Sequence, residues 1–159
     1  MIFHGIEPEH AILAGLWRRE CPEALRTPEI PNKQSQLRWF ESLENSNHRY
    51  WGCVEGEKLV AVAGLTYISW DNRSAEISLI VDPEQKKKGF GREAVERTLA
   101  MGFGRMNLEV IYGECYECAH NVGFWRKALP TRTTWVDLPD RKYWNGEYWG
   151  SHYFSVRRA

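Results

Sequence analysis

The segment that most constrains this chain runs Ile77-Ser78-Leu79-Ile80-Val81-Asp82-Pro83-Glu84-Gln85-Lys86-Lys87-Lys88-Gly89-Phe90-Gly91-Arg92. Its apolar half favours a strand, Pro83 stops that strand, and a helical period takes over after Gly89. Phe90, Ala94, Thr98 and Gly102 fall on one helical stripe, widened by Val95 and Leu99, so this helix packs on a sheet. Glycines allow close backbone approach, and the first amides of a helix lack internal partners and carry the positive end of its dipole. A turn built this way captures a pyrophosphate, and Lys86, Lys87, Lys88 and Arg92 add charge beside it. A lysine-rich turn alone is commonly a solvated loop; the ordered strand, proline, basic turn and amphipathic helix point to a ligand. No Walker A pattern occurs, and a dinucleotide fingerprint lacks its third glycine.

Around this segment the sequence predicts a helix over Glu9–Glu20, a stretch broken by Pro22, Pro28 and Pro31, and a helix over Lys33–Leu43 carrying Leu37, Trp39 and Phe40. Tyr50–Val54 and Leu59–Ser69 read as a hairpin with Gly56 in its turn, and Ala75–Val81 as a further strand. Leu108–Tyr112 is expected as a strand, Asn121–Lys127 as a short helix, and two aromatic strands near Thr133–Val136 and His152–Val156 close the chain. The order predicts an α/β (α+β) fold, a mixed sheet with helices on both faces. With 159 residues, 43% of them hydrophobic, and no repeat or linker, residues 1–159 are expected to form a single domain.

Charge and cysteine content narrow the function classes. Lys plus Arg and Asp plus Glu both number 21, so no global basic field holds a nucleic acid; only a local channel of Lys86 to Arg97 with Arg132, Arg141 and Lys142 leaves that route open. No apolar run approaches the roughly 20 residues that span a bilayer. The opening MIFHGIEPEH lacks the marks of a signal peptide, so a soluble, cytoplasmic protein with free thiols is expected. Of Cys21, Cys53, Cys115 and Cys118, only the last two form a C-x-x-C; zinc would need a second ligand pair, which His120 does not supply, so no metal is expected.

The run from Val81 to Gly91 resembles motif A of the GNAT N-acetyltransferase superfamily, V-x-P-x-x-[Q/R]-x-x-G-x-[G/A], with Lys86 in place of Gln or Arg. Leu25–Pro28, Gln36–Phe40 and Gly123–Lys127 are similar to the branch of ribosomal-protein and nucleotide-sugar N-acetyltransferases. The resemblance implies a central, mostly antiparallel mixed sheet and acetyl-CoA or another short acyl-CoA as co-substrate. It places the cofactor on Leu79, Ile80, Val81, Lys86, Lys87, Lys88, Gly89, Phe90, Gly91, Arg92, Asn121 and Phe124. It also implies direct attack of an amine on the thioester.

An alkylamine has a pKa of about 10.4, so at neutral pH roughly one molecule in a thousand is uncharged and a base or water relay is needed. Glu76 is the first candidate: with period two it shares a face with Ser78 and Ile80 on the strand resembling the acyl-binding strand, although it reads equally as an exposed strand-end carboxylate. Glu114 is the second. Relatives place a tyrosine acid where Trp125 stands here, and indole has no transferable proton, so either Tyr153, Tyr116 or Tyr143 reaches in from a neighbouring segment or the thiolate leaves to solvent. Cys118 as a nucleophile lacks a partnered base. Trp135, Tyr143, Trp144, Tyr148, Trp149 and Tyr153 are core aromatics, with a minority left for an acceptor pocket or a homodimer surface. The leading expectation is an N-acyltransferase acting on a small amine, an amino sugar or a peptide N-terminus. The alternatives are a non-catalytic acyl-CoA-binding domain, favoured by the missing tyrosine, and a nucleic-acid acyltransferase.

Overall fold

Seven strands form one sheet in the computed structural model, which describes residues 1–159. Across the sheet they run β1 (Ile2–Gly5), β2 (Arg49–Glu55), β3 (Lys58–Ser69), β4 (Ser74–Val81), β5 (Val110–Tyr116), β7 (Glu147–Arg157) and β6 (Thr134–Trp144). Every neighbouring pair is antiparallel except β4 with β5, which is parallel. The helices are α1 (Pro8–Arg18), α2 (Lys33–Ser42), α3 (Phe90–Ala100) and α4 (Val122–Ala128). None is long and apolar enough to cross a membrane.

Alternation along β3 shows why both faces are covered. Val62 meets Ala14 and Trp17 of α1, while Ala61 and Ala63 meet Ala94 of α3. The larger core lies on the α3 side, where Leu65, Ile77, Val95, Leu99, Ile111, Trp125, Phe154 and Val156 pack together. Local chemistry sets the ends. Asn32 accepts from the Ser35 amide at 2.9 Å and Ser35 accepts in return from the Asn32 amide at 2.9 Å, which starts α2. Gly56, at φ +61°, turns β2 into β3.

The expected α/β architecture is what forms, with three differences in its elements. β1, only four residues long, was not expected, and β5 runs on to Tyr116 rather than ending at Tyr112. The closing strands are eleven residues each, joined by Asn145 and Gly146 at φ 50° and 88°, a two-residue turn that fits the twist of a hairpin. Pro139 breaks the expectation of a strand there, but the register slips between Leu138 and Lys142 and β6 is an edge strand, so the missing N–H leaves no ladder position empty. Beyond Ala100 the helix winds on as a π turn, Met101–Arg105, with Gly102 pressed so close to the sheet that a Cβ would lie 2.6 Å from Ile111 Cδ1.

Candidate active site

β4 and β5 pair over only three positions, Ser74 with Val110, Ala75 with Ile111 and Glu76 with Tyr112. Beyond them β4 continues to Val81 and β5 to Tyr116 without pairing, so alternate backbone groups from Ile77 to Val81 face a gap rather than a strand. Leu79, Ile80 and Val81 line this stretch and are only half-buried despite their central position.

The gap opens toward the basic turn. Asp82 is buried and accepts from the Glu84 amide at 3.0 Å, while its own amide bonds Val60 O at 2.9 Å, so the turn leaves β4 at a fixed angle. Lys87 at φ 64° and Gly89 at φ 91° then bend the backbone into a concavity, and the amides from Lys87 to Arg92 find no acceptor in the chain. A Cβ on Gly89 would meet nothing within 4 Å, so the space before these amides is open, while Phe124 of α4 closes one wall at 3.1 Å from a Cβ on Gly91. Arg92 is paired with Glu96 at 2.9 Å and Lys88 donates to Gln85 at 3.0 Å, which leaves Lys86 and Lys87 as ammonium groups without a partner. Asn121, three residues before Phe124, has a buried side-chain oxygen with no hydrogen bond. A ligand amide N–H would satisfy it. Open amides, free cations and an orphaned acceptor together suit an elongated molecule with phosphates at one end and amides along its length. A surface groove of about 850 Å³ lies elsewhere, and its Glu20, Glu57, Asp82 and Glu84 against Lys58 would repel phosphate.

At the closed end of the gap the face shared with α1 carries a polar cluster. Glu76 of β4, Tyr112 and Glu114 of β5 and Ser151 and Tyr153 of β7 all point to this face, as strand alternation and register require. Arg26, from the irregular segment between α1 and α2, grips both oxygens of Glu76: its Nη1 donates to Oε2 at 3.0 Å and its Nη2 donates to Oε1. Glu114 accepts from Arg141 Nε at 3.0 Å and from Ser151 Oγ at 2.6 Å, with Arg26 Nη2 at 3.9 Å from its other oxygen. Burial alone would raise the Glu114 carboxyl, but the Arg141 and Ser151 hydrogen bonds and the two guanidinium charges hold it below its ordinary value. Tyr153 stacks on Tyr112 with ring centroids 5.9 Å apart. Burial first, then the negative charge of Glu76, push its phenol above the ordinary value, so it stays protonated at neutral pH.

The structure thus brings Glu76, Glu114 and Tyr153 into one cluster and Leu79 to Arg92 with Phe124 along one groove. Tyr116, nearly buried, belongs to the same cluster, whereas Tyr143 is exposed near the tip of the β6–β7 hairpin. Trp125 is a core residue, 5.1 Å from the Phe154 ring. Cys118 points at Glu23 O and Cys115 at His152 O, and burial raises both thiols, Cys115 to about 11. Arg92, Arg97 and Arg141 are ion-paired, Lys88 bonds Gln85, and Arg132 and Lys142 bond the Arg157 and Leu25 carbonyls, so of the supposed nucleic-acid channel only Lys86 and Lys87 are left unengaged. The residues that sequence reasoning did not place in the site are Arg26, Tyr112 and Ser151, with Arg141 assigned there to a different surface.

Comparison with known proteins bears on the family and the fold. The model of the acetyltransferase (GNAT) domain matches residues 2–124. The spermidine N(1)-acetyltransferase of Vibrio cholerae is 33% identical over 69 residues, 43% of this chain; the match spans 40% of that relative's length. The structure of a spermidine N-acetyltransferase from Vibrio cholerae in complex with CoA and spermine superposes with a TM-score of 0.85 at 19% identity, covering 98% of this chain and 94% of that one. A dodecameric structure of the Vibrio cholerae enzyme superposes at 0.80, with 18% identity over 98% of this chain and 92% of that one. These relatives are spermidine acetyltransferases, so the finer placement with ribosomal-protein and nucleotide-sugar enzymes is not supported and is set aside. With the motif, the splayed strands and a family model spanning most of its length in agreement, the chain belongs to the GNAT acetyltransferase family.

Proposed function

We propose that the protein transfers an acetyl group from acetyl-CoA to a primary amine, both bound at once. The observation that carries this reading is the gap between β4 and β5, which joins the unsatisfied amides of Lys87–Arg92 at one end to Glu76 and Tyr153 at the other. Acetyl-CoA supplies the activated thioester; the chain supplies the geometry. The amides and Lys86 and Lys87 hold the phosphates, Asn121 accepts from an amide of the pantetheine arm, and Phe124 packs beside it. Glu76, directly or through one water, takes the proton from the acceptor ammonium, so that the nitrogen lone pair attacks the carbonyl carbon. Open amides of β4 face the oxygen as charge builds on it, Tyr153 gives its proton to the sulfur as the carbon–sulfur bond breaks, and the second proton shed by the acylated nitrogen returns to the phenolate. Glu114, whose Oε1 is held by Arg141 and Ser151, is a positioning residue in this scheme. The relatives named for spermidine make polyamines the first acceptors to assay.

The test is calorimetric titration with acetyl-CoA of the wild type and of the double variant Lys86→Glu and Lys87→Glu, followed by thiol-release assays on a panel of amines. Both lysines lack partners, so reversing their charge should leave the fold intact. It should weaken acetyl-CoA binding by about tenfold or more, with the difference shrinking at high salt. Equal affinity in the two proteins, or no binding by folded wild type, would remove the cofactor assignment.

A further inference from the structure

We infer that Arg26 occupies the position of the acceptor's ammonium group and must be displaced from Glu76 before an amine can be deprotonated there. The inference rests on the reading of Glu76 as the base. In the chain as it stands, one guanidinium spans both Glu76 oxygens, and the Glu76 side chain is left only 12% exposed while that of Arg26 is 46% exposed. Arg26 is therefore what lies between the carboxylate and solvent. An ammonium approaching Glu76 from outside meets the same two oxygens that the guanidinium fills, and a second cation cannot share them at hydrogen-bond distance without repulsion.

Three features make the exchange feasible. Arg26 sits on the irregular stretch between α1 and α2, which carries Pro22, Pro28 and Pro31 and is largely exposed from Arg26 to Ile30. The stretch is tied down at separate points, through Glu23 O to Cys118, Leu25 O to Lys142 and Pro31 O to Arg19, none of which holds the Arg26 side chain itself. A second carboxylate is already in reach: Glu114 Oε2 lies 3.9 Å from Arg26 Nη2, and its only other donor, Arg141 Nη2, is at a long 3.4 Å. The guanidinium can swing from Glu76 to Glu114 without entering water unpaired, and the acceptor ammonium then takes its place on Glu76, so that each carboxylate of the cluster has a cation against it. The acceptor class this selects is a primary alkylammonium, which arrives charged.

Calorimetric titration with spermidine as the alkylammonium probe compares wild type, Arg26→Ala, Arg26→Lys and the double variant Arg26→Ala with Glu76→Gln, with acetyl-CoA titrated into each as a control. Removing the internal competitor should tighten spermidine binding by about five- to thirtyfold. The gain should vanish in the double variant, and Arg26→Lys should bind close to wild type. Acetyl-CoA affinity should be the same in all four. A structural role for Arg26 would lower the melting temperature and weaken binding instead. Unchanged, weaker or absent spermidine binding by Arg26→Ala, with acetyl-CoA binding intact, overturns the displacement and leaves the cofactor reading standing. Loss of acetyl-CoA binding in the wild type overturns both. Should Arg26→Ala not fold, Arg26→Gln gives the same comparison with the side chain's length retained.

Discussion

Replacing Gly113 by alanine puts a methyl group where the structure has no room for one. Gly113 of β5 faces Phe154 of β7 directly in register, and an added Cβ would lie 2.4 Å from Phe154 Cζ and 2.8 Å from Cε2. Ordinary contact starts near 3.4 Å, so the ring would have to withdraw by about 1 Å. It has nowhere to go: Phe154 is 1% exposed, and its ring is held by Trp125 at 5.1 Å and Trp135 at 5.3 Å. Overpacking of this kind costs about 2–3 kcal/mol. For a chain of this length that lowers the melting temperature by about 5–10 °C. Circular dichroism melts would read it. Shortening the ring should relieve the clash, so Phe154→Leu combined with Gly113→Ala should be less destabilised than the sum of the two by about 1 kcal/mol or more. A Gly113→Ala protein melting within about 1 °C of wild type, or strict additivity in the pair, would refute the claim that this ring is fixed in place.

Glu114 is held below its ordinary value of 4.5, so it contributes stability that is present above that value and lost as pH falls through its folded value. Melting temperature followed from neutral pH into acid should therefore decline more steeply for wild type than for Glu114→Gln; parallel curves would contradict the assignment. Gly146→Ala forces an alanine to φ 88° in the β6–β7 turn and should cost about 1 kcal/mol, read by urea unfolding, whereas Gly150→Ala, with a normal φ, should not show this backbone strain.

The basic turn was legible in the sequence because everything that makes it is local: strand, proline, glycines and helix lie within sixteen consecutive residues, Ile77 to Arg92. Glu76 was legible as a face-sharing residue because alternation within one strand needs no tertiary information. Its partner was not. Arg26 stands fifty positions away in a segment with no period, and only the fold shows that the two meet. The same holds for Ser151 on Glu114, thirty-seven positions apart. The closing hairpin was legible only in part: the strands expected near Thr133–Val136 and His152–Val156 lie within it, but β6 runs on past Pro139 through a bulge that only an edge strand tolerates, to the Asn145-Gly146 turn. Trp125 was recognised as unable to donate a proton, and the structure supplies the positive reason for its presence, a core contact with Phe154.

The sheet is also a mechanical object, and its rungs are unevenly distributed. Three residue pairs join β4 to β5, against seven joining β3 to β4 and seven joining β5 to β7. Two well-laced panels, β1 to β4 and β5 with β7 and β6, therefore meet along a seam stitched at one end only. Shear and twist between the panels concentrate at that seam, and so does compliance. On the proposed reading, a molecule lying in the open part of the seam would bond to both edges and complete the stitching, drawing the panel that presents Glu76 and the panel that presents Tyr153 into fixed register.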